Sequence, residues 1–460
     1  MQEARLGDVV ASMKNGIYKP ASEYTDDGMP CLRMYNIDAG TIVWRDIKRM
    51  KVTPQEYADY GLHEGDLLVN RVNSRELVGK AAVIPASLEP SVFESKNIRV
   101  RLDTSKALPK FINYQLFASG SKHFANNAQQ VVGMASISQG QLSDFPIVLA
   151  DIGEQREIVA ELEKQFSRLD EAVASLQRVK ANLKRYKASV LKAAVEGRLV
   201  VPEATLARRE GRSYETGEQL LQRVLDERQR KWAGKGKYKE PIALSGDYSV
   251  QLPDGWASAT VDQLGNVQLG KMLDKQKNTV GTPCLYLRNI NVRWGGFDLS
   301  DIFEMNFKSD ELERFSVRAG DVLVCEGGEP ARAAVWRAKR ADMKYQKALH
   351  RVRFDGAFLP EILVIALEHL AKSGALDELY GGSTIKHFTR ENFVKLVLPV
   401  PPLAEQNRIV AEVDRHLSII REVEAEVDAN IQRAQALRQS VLQRAFTGDI
   451  AADSPAHKSQ

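Results

Sequence analysis

Along most of the chain, apolar residues come in short clusters between turn residues, but two stretches break that habit. Leu162, Leu169, Leu176, Leu183 and Val190 recur every seven residues, with Ile158, Phe166, Val173, Val179 and Tyr186 between them. Val413, Ile420, Val427, Ala434 and Val441 do the same, with Ile409, Leu417, Val423, Ile431 and Leu437 between. An apolar repeat held over four heptads puts one stripe on an α-helix and predicts a coiled coil. No proline interrupts either stretch, and Gly197 and Gly448 fall where a helix stop belongs. Ile158, Leu162, Leu169, Leu176, Leu183, Ile409, Val413, Ile420, Val427 and Val441 are therefore expected at a helix–helix or partner interface.

The parts before each helix read differently. Short β-rich runs at 66–70, 98–102, 321–325 and 349–354 lie between turn residues, and helix candidates fall at 109–124 and 360–373. Residues 201–250 read as a connector with a helix at 217–232 and the Gly/Lys-rich GKGKYKEP at 234–241. LPDGW at 252–256 then opens the second globular part.

The two halves are one plan written twice. IGEQREIVAEL at 152–162 matches LAEQNRIVAEV at 403–413, and VLKAAVEGRL at 190–199 matches VLQRAFTGDI at 441–450, both at an offset of 251. Upstream the match loosens: PCLRMYNI at 30–37 against PCLYLRNI at 283–290, and GDLLVNR at 65–71 against GDVLVCE at 320–326. Fixed-length helices follow globular parts of drifting length. Helices of about 42 residues would each span roughly 60 Å at 1.5 Å per residue. Packed antiparallel, they would hold one globular part at each end about a pseudo-two-fold axis. The fold class expected is α+β: two mixed α/β domains joined by an antiparallel coiled coil, as an internal repeat.

Composition narrows the function. The 460 residues carry 64 Lys plus Arg against 60 Asp plus Glu, a net charge of +4 that excludes a histone-like polycation but not local basic patches. No run approaches the roughly 18 apolar residues of a membrane span, and the first residues lack signal-peptide character. A cytoplasmic protein without a membrane partner is expected. Cys31, Cys284 and Cys325 are too far apart for a zinc motif and read as buried free thiols. No GxGxxG, Walker A, HExxH or GxSxG string occurs. The nearest enzyme-like signal, Glu94-Ser95-Lys96, could be half of a nuclease site, but the second half of the chain has no convincing equivalent.

The polar loops point elsewhere. Arg71, Asn73 and Arg75 occupy the place held by Gly327-Gly328-Glu329 in the other half, a glycine pair better read as a tight turn than as a phosphate cradle. Arg33, Tyr35 and Asn36 follow one Pro-Cys-Leu; Arg288, Asn289 and Arg293 follow the other. Lys80, Lys96, Arg99 and Arg101 find rough parallels in Arg332, Arg337, Lys339 and Arg340. Arg and Asn can make bidentate contacts to guanine and adenine edges, so paired sets of them favour a DNA-reading surface. Six basic residues and no acidic one between 178 and 192 read first as a solvated helix face, with phosphate contact and an acidic partner as alternatives that the sequence does not separate.

With EQxxIV opening each helix (Glu154, Gln155, Ile158, Val159; Glu405, Gln406, Ile409, Val410) and VLxxAxxGxL/I closing it, the chain resembles the specificity subunit of type I restriction–modification systems. The stretch GDLLVNRVNSRELVGKAAV at 65–83 also resembles that family's first recognition domain. The resemblance implies target-recognition domains at 1–150 and 251–400, spacer helices at 151–200 and 401–450, a connector at 201–250 and a disordered tail at 451–460. It implies double-stranded DNA, two methyltransferase subunits and restriction/motor subunits as partners. No cofactor is expected on this chain; S-adenosylmethionine, Mg and ATP belong to those partners. The family's leading PxGW is present as Pro253-Asp254-Gly255-Trp256 but missing before Leu6.

Overall fold

The computed structural model describes the chain except residues 132, 233–236, 245–251, 275–278, 339–341, 355–357, 383–385 and 448–460. Gly448, Lys339, Arg340, part of the GKGKYKEP stretch and the 451–460 tail lie outside the described residues. The chain divides into two compact units. Unit 1 comprises Met1–Gln177 with Val427–Gln460, and unit 2 is Arg178–Glu426. The boundary cuts through both long helices, Ile152–Val195 and Leu403–Thr447, so each unit holds a segment of each. Each unit thus holds the start of one long helix and the end of the other.

Unit 1 is built on a four-stranded antiparallel sheet in the order Val10–Asn15, Asn97–Leu102, Leu67–Asn70, Ala81–Val83. Beside it, Tyr24–Leu32 pairs parallel with Val92–Phe93 and antiparallel with Lys48–Met50. A ribbon of Gln2–Arg5 on Pro146–Leu149 closes the domain. Leu67–Asn70 is buried throughout and begins as an apolar run, whereas Asn97–Leu102 is almost as buried yet alternates Asn97, Arg99 and Arg101 with Ile98, Val100 and Leu102.

Unit 2 repeats these connections. Its four-stranded order is Gly265–Leu269, Leu349–Phe354, Val322–Cys325, Ala333–Val335. Thr282–Leu287 pairs parallel with Lys344–Tyr345 and antiparallel with Phe303–Phe307, and Ala257–Thr260 runs on Val397–Val400. Unit 1 adds one small sheet, in which Met134–Ser136 joins Gln129–Val131 to Val72–Asn73. The helix Pro360–Ser373 falls where expected. Its counterpart runs as Pro109–Gln115, a π-turn and Ser121–Asn127, and the connector helix is Gly217–Arg230.

The long helices bury their ends. Ile158, Val159, Leu162 and Phe166 join the unit 1 core with Val441, Leu442 and Ala445. Val190, Leu191 and Ala194 join the unit 2 core with Ile409 and Val413. Ile420 and Val427 are also buried, while Leu169, Leu176 and Leu183 are half-buried. Val179, Tyr186 and Leu437, expected within the apolar stripe, are exposed. A stripe between two helices covers little more than the innermost residue of each turn, so flanking positions stay in contact with water. No helix among the described residues is long and apolar enough to cross a membrane.

Candidate nucleic-acid interface

The polar loops of unit 1 converge because backbone bonds tie them together at one end of its sheets. Arg71 N–H donates to Lys96 O (2.9 Å), Asn70 N–H to Lys80 O (2.7 Å) and Ser95 N–H to Ile17 O (2.9 Å). Glu94 is the hub. It is buried, its carboxylate accepts from Met34 N–H (2.9 Å) and Arg33 Nε (3.3 Å), and its backbone pairs with Ile17. A carboxylate engaged in this way anchors the 33–36 turn and is not poised as half of a nuclease site.

Unit 2 makes the same ties. Glu326 N–H donates to Ala348 O (2.9 Å), Cys325 N–H to Arg332 O (2.8 Å) and Lys347 N–H to Lys271 O (2.8 Å), and Lys271 pairs with Gln346. These bonds define residue-by-residue counterparts: Ile17 and Lys271, Asn70 and Cys325, Arg71 and Glu326, Lys80 and Arg332, Glu94 and Gln346. Gly16 and Gly270 have a shared reason to be glycine. A Cβ on either would sit 2.2 Å from the backbone oxygen of Glu94 or Gln346.

One alignment made from sequence shifts by two residues. Leu32 pairs with Phe93 and Leu287 with Tyr345, so the strands end at Leu32 and Leu287. Arg33 and Arg288 then open matching three-residue turns, Met34–Asn36 and Asn289–Asn291. Asn36 therefore corresponds to Asn291 and not to Asn289. A slip of two keeps every side chain on its own face of a strand, so hydrophobic patterning is blind to it.

The predicted residues separate into three groups. Tyr35, Arg75 and Arg293 are exposed, and Arg33, Arg71, Lys80, Lys96, Arg288, Asn289 and Arg332 are partly so. Arg33 lies over the Tyr35 ring at 5.4 Å, and Arg288 lies over Phe303 at 3.9 Å while pairing with Asp301 at 2.6 Å. Arg332 donates to Glu329 (2.6 Å) and to Asn289 O (2.9 Å), Arg293 pairs with Asp298 (3.2 Å), and Arg75 Nε donates to Ala125 O (3.0 Å). Arg71 Nε, Arg288 Nε and Arg332 Nε are buried without a partner. Arg288 and Arg332 are held in place by their acidic and carbonyl partners.

A second group is structural. Asn36 is 2% exposed and spends its amide on Val43 O (3.2 Å) and Arg45 O (2.9 Å); Asn291 does the same with Asp298 O (3.0 Å) and Asp301 O (2.8 Å). Asn73, also buried, donates to Asn70 Oδ1 (2.8 Å), Asn70 to Asn97 Oδ1 (2.5 Å) and Asn97 to Leu32 O (3.3 Å). This relay runs from the Arg71 loop to the strand before Arg33. Arg99 is buried on Gly61 O (2.6 Å), and Arg101 binds the buried Asp66 (2.9 Å), as Arg353 binds Asp321 (2.7 Å). Asn36, Asn73 and Arg99 are thus buried and spent on the protein's own groups, and Arg101 is partly exposed but paired.

Arg337 stands apart, pairing with Glu361 (2.9 Å) beside a cavity of unit 2 lined by Lys187, Trp294 and long-helix residues. In the basic run, Lys187 is spent on Glu368 (2.7 Å). The glycine pair is a turn: Gly328 has φ +82°, and a Cβ there would meet Asn289 Nδ2 at 2.7 Å. Burial pushes the Cys31 thiol up to about 12 and Cys325 up to about 11, so both stay protonated; Cys284 is only half-buried. Composition left out the exposed Tyr18 and Met272, whose signal was the Gly-x-large apolar string after each first strand.

The repeated EQ motif proves to be a clip. Gln155 and Gln406 are fully buried at the starts of the long helices, while Glu405 accepts from Trp256 Nε1 (3.0 Å) and Glu203 N–H (2.8 Å). Burial raises the Glu405 carboxyl above its usual range.

Residues 1–184 match the family model for the type I restriction modification DNA specificity domain. The specificity subunit of the type I restriction enzyme EcoBI from Escherichia coli is 22% identical over 457 residues, covering 97% of this chain and 85% of that protein. A chain from a structural study of assembly and conformational transition in the type I R-M system aligns at TM-score 0.63 and 17% identity, covering 97% of this chain and 98% of that one. The HsdS subunit from Thermoanaerobacter tengcongensis aligns at TM-score 0.52 and 17% identity, with 97% of each chain covered. The two structural likenesses are likenesses of fold, and the matching family model is one of a DNA specificity domain. The chain is thus similar to specificity subunits of type I restriction–modification systems, over residues 1–184 by the family model and over most of its length by these relatives.

Proposed function

We propose that unit 1 and unit 2 each read one half of a two-part DNA sequence, and that the shared helices fix the unread gap between the halves. The observation that carries this reading is the pairwise equivalence of the two loop sets, tied at matching backbone atoms yet carrying different side chains. One scaffold with two side-chain sets suits two different half-sites. Arg33, Arg71, Arg75, Lys80, Lys96, Arg288, Asn289, Arg293 and Arg332 are the candidate contacts, with phosphates taking the cations and base edges the forked donors.

The helices support an antiparallel coiled-coil reading. Asp170 pairs with Arg438 (2.6 Å) within unit 1, and Tyr186 meets His416 (2.8 Å) within unit 2, so positions fall along one helix as they rise along the other. The half-buried Leu169, Leu176 and Leu183 and the exposed apolar Val179 and Ile419 leave surface for two methyltransferase subunits to dock. In this reading those subunits bind S-adenosylmethionine and methylate adenine, restriction/motor subunits use Mg and ATP, and this chain works without a cofactor in the cytoplasm. A gel-shift assay with duplex DNA tests it. Salt-sensitive binding that appears only when the methyltransferase partner is present supports the reading. A chain that binds only proteins through these loops contradicts it.

A further inference from the structure

We infer that each unit touches bases through two exposed apolar side chains, Tyr18 with Tyr35 in unit 1 and Met272 with Ile290 in unit 2, and that these pairs seek thymine methyl groups. The inference rests on the reading that these loops face DNA. Tyr18 is 82% exposed, Tyr35 64%, Met272 58% and Ile290 49%. Single exposed apolar residues need no explanation. Here, however, the same two positions are filled this way in both units.

The equivalence is fixed by backbone. Tyr18 and Met272 each follow the residue that pairs with Glu94 or Gln346. Tyr35 and Ile290 are the middle residues of the turns Met34–Asn36 and Asn289–Asn291. Around them the side chains have diverged: Ile17 against Lys271, Glu94 against Gln346, Arg71 against Glu326. Large apolar character persists at the two tips, while among their neighbours the cation is kept at Arg33 and Arg288 and at Lys80 and Arg332 but at none of the other positions named.

That persistence selects the contact. A tyrosine hydroxyl can reach a phosphate, but methionine and isoleucine offer phosphates nothing, so the property common to both pairs is apolar surface. Both pairs are flanked by cations: Arg33, Arg71 and Lys96 in unit 1, Arg288, Arg332 and Lys347 in unit 2. Cations and an apolar tip together suit a DNA groove. In the major groove the apolar feature of a base pair is the thymine methyl group. The aromatic pair of unit 1 and the aliphatic pair of unit 2 then meet their methyls with different shapes.

The test uses the full complex with its methyltransferase partner and a duplex carrying the methylated motif mapped for that complex. Uracil replaces thymine in one half-site at a time. Wild type should bind about fourfold more weakly per contacted methyl lost, the value of one buried methyl. Tyr18→Ser with Tyr35→Ser should abolish that sensitivity in one half-site, and Met272→Ser with Ile290→Ser in the other. Salt dependence should not change, since no cation is removed. Wild-type affinity for a random-sequence duplex shows that each variant is folded. Indifference of wild type to uracil, a half-site without thymine on either strand, or equal uracil sensitivity in wild type and variant overturns the inference. A wild-type complex that yields no two-part motif instead overturns the function proposed above.

Discussion

Gln155 and Gln406, 251 positions apart, make the same clip at the head of a long helix. Gln155 accepts from Leu108 N–H at 2.8 Å and donates to Lys106 O and Ala150 O at 2.9 Å; Gln406 accepts from Leu359 N–H at 2.9 Å and donates to Pro401 O at 2.9 Å. Each glutamine ties its helix to the start of the shorter helix at Pro109 or Pro360. Truncation strands a buried N–H that costs on the order of 1–3 kcal/mol. Gln155→Ala and Gln406→Ala should therefore each destabilise their own unit by about that much. Hydrogen exchange at Leu108 or Leu359 reads the effect, with the other unit as internal control.

The asparagine relay makes a paired prediction. Asn97 faces Asn70 in unit 1, where unit 2 has Leu349 facing Cys325. Asn97→Leu alone leaves the buried Asn70 amide without its acceptor and should cost on the order of 1–3 kcal/mol. Adding Asn70→Cys removes that stranded group but takes the acceptor from the buried Asn73 amide, so it should recover only part of the loss. Chemical denaturation of the four-member cycle measures the coupling. Independent, additive effects would show that the relay is not a unit.

Acid should weaken unit 2 through His350. Burial holds its imidazole down at about 4, and Nε2 lies 2.7 Å from Phe388 O, an acceptor that fixes the proton on that nitrogen. An unfolded histidine takes up a proton near pH 6.5 that the folded one refuses. Stability is therefore lost as pH falls below about 6.5 and levels off below about 4, by roughly 3 kcal/mol in all. Denaturation midpoints across this range should show the slope, and His350→Gln, which does not titrate, should flatten it.

Trp256 and Glu405 offer a test of the second helix's EQ motif. Trp256→Phe removes the indole donor while keeping most of the apolar contact, leaving one buried oxygen of Glu405 unpaired. A loss of about 1–3 kcal/mol from unit 2 is expected. Adding Glu405→Gln removes the uncompensated charge and should recover part of the loss, as thermal melting of the double variant would show.

The long helices and the 251-residue offset were legible because heptads and ungapped identities are local signals. The clip was visible as a motif but not as a task, since its partners lie up to 49 residues away from Gln155. Separating exposed from buried polar residues was beyond the sequence. Asn36 and Arg75 look equally suited to DNA as letters, yet one is sealed beneath the Val43–Arg45 carbonyls and the other is exposed. Composition also pointed to charge, whereas the counterparts at 18 and 272 are apolar and become comparable only through the strand pairings that precede them.

The most direct test of two readers on one scaffold is a map of methylated adenines in cells expressing this chain with its methyltransferase partner. The map is repeated after residues 1–150 are exchanged for those of a relative. The account predicts a two-part motif with a constant gap, of which only one half changes on exchange. A single continuous motif, or an exchange that alters both halves, would contradict it.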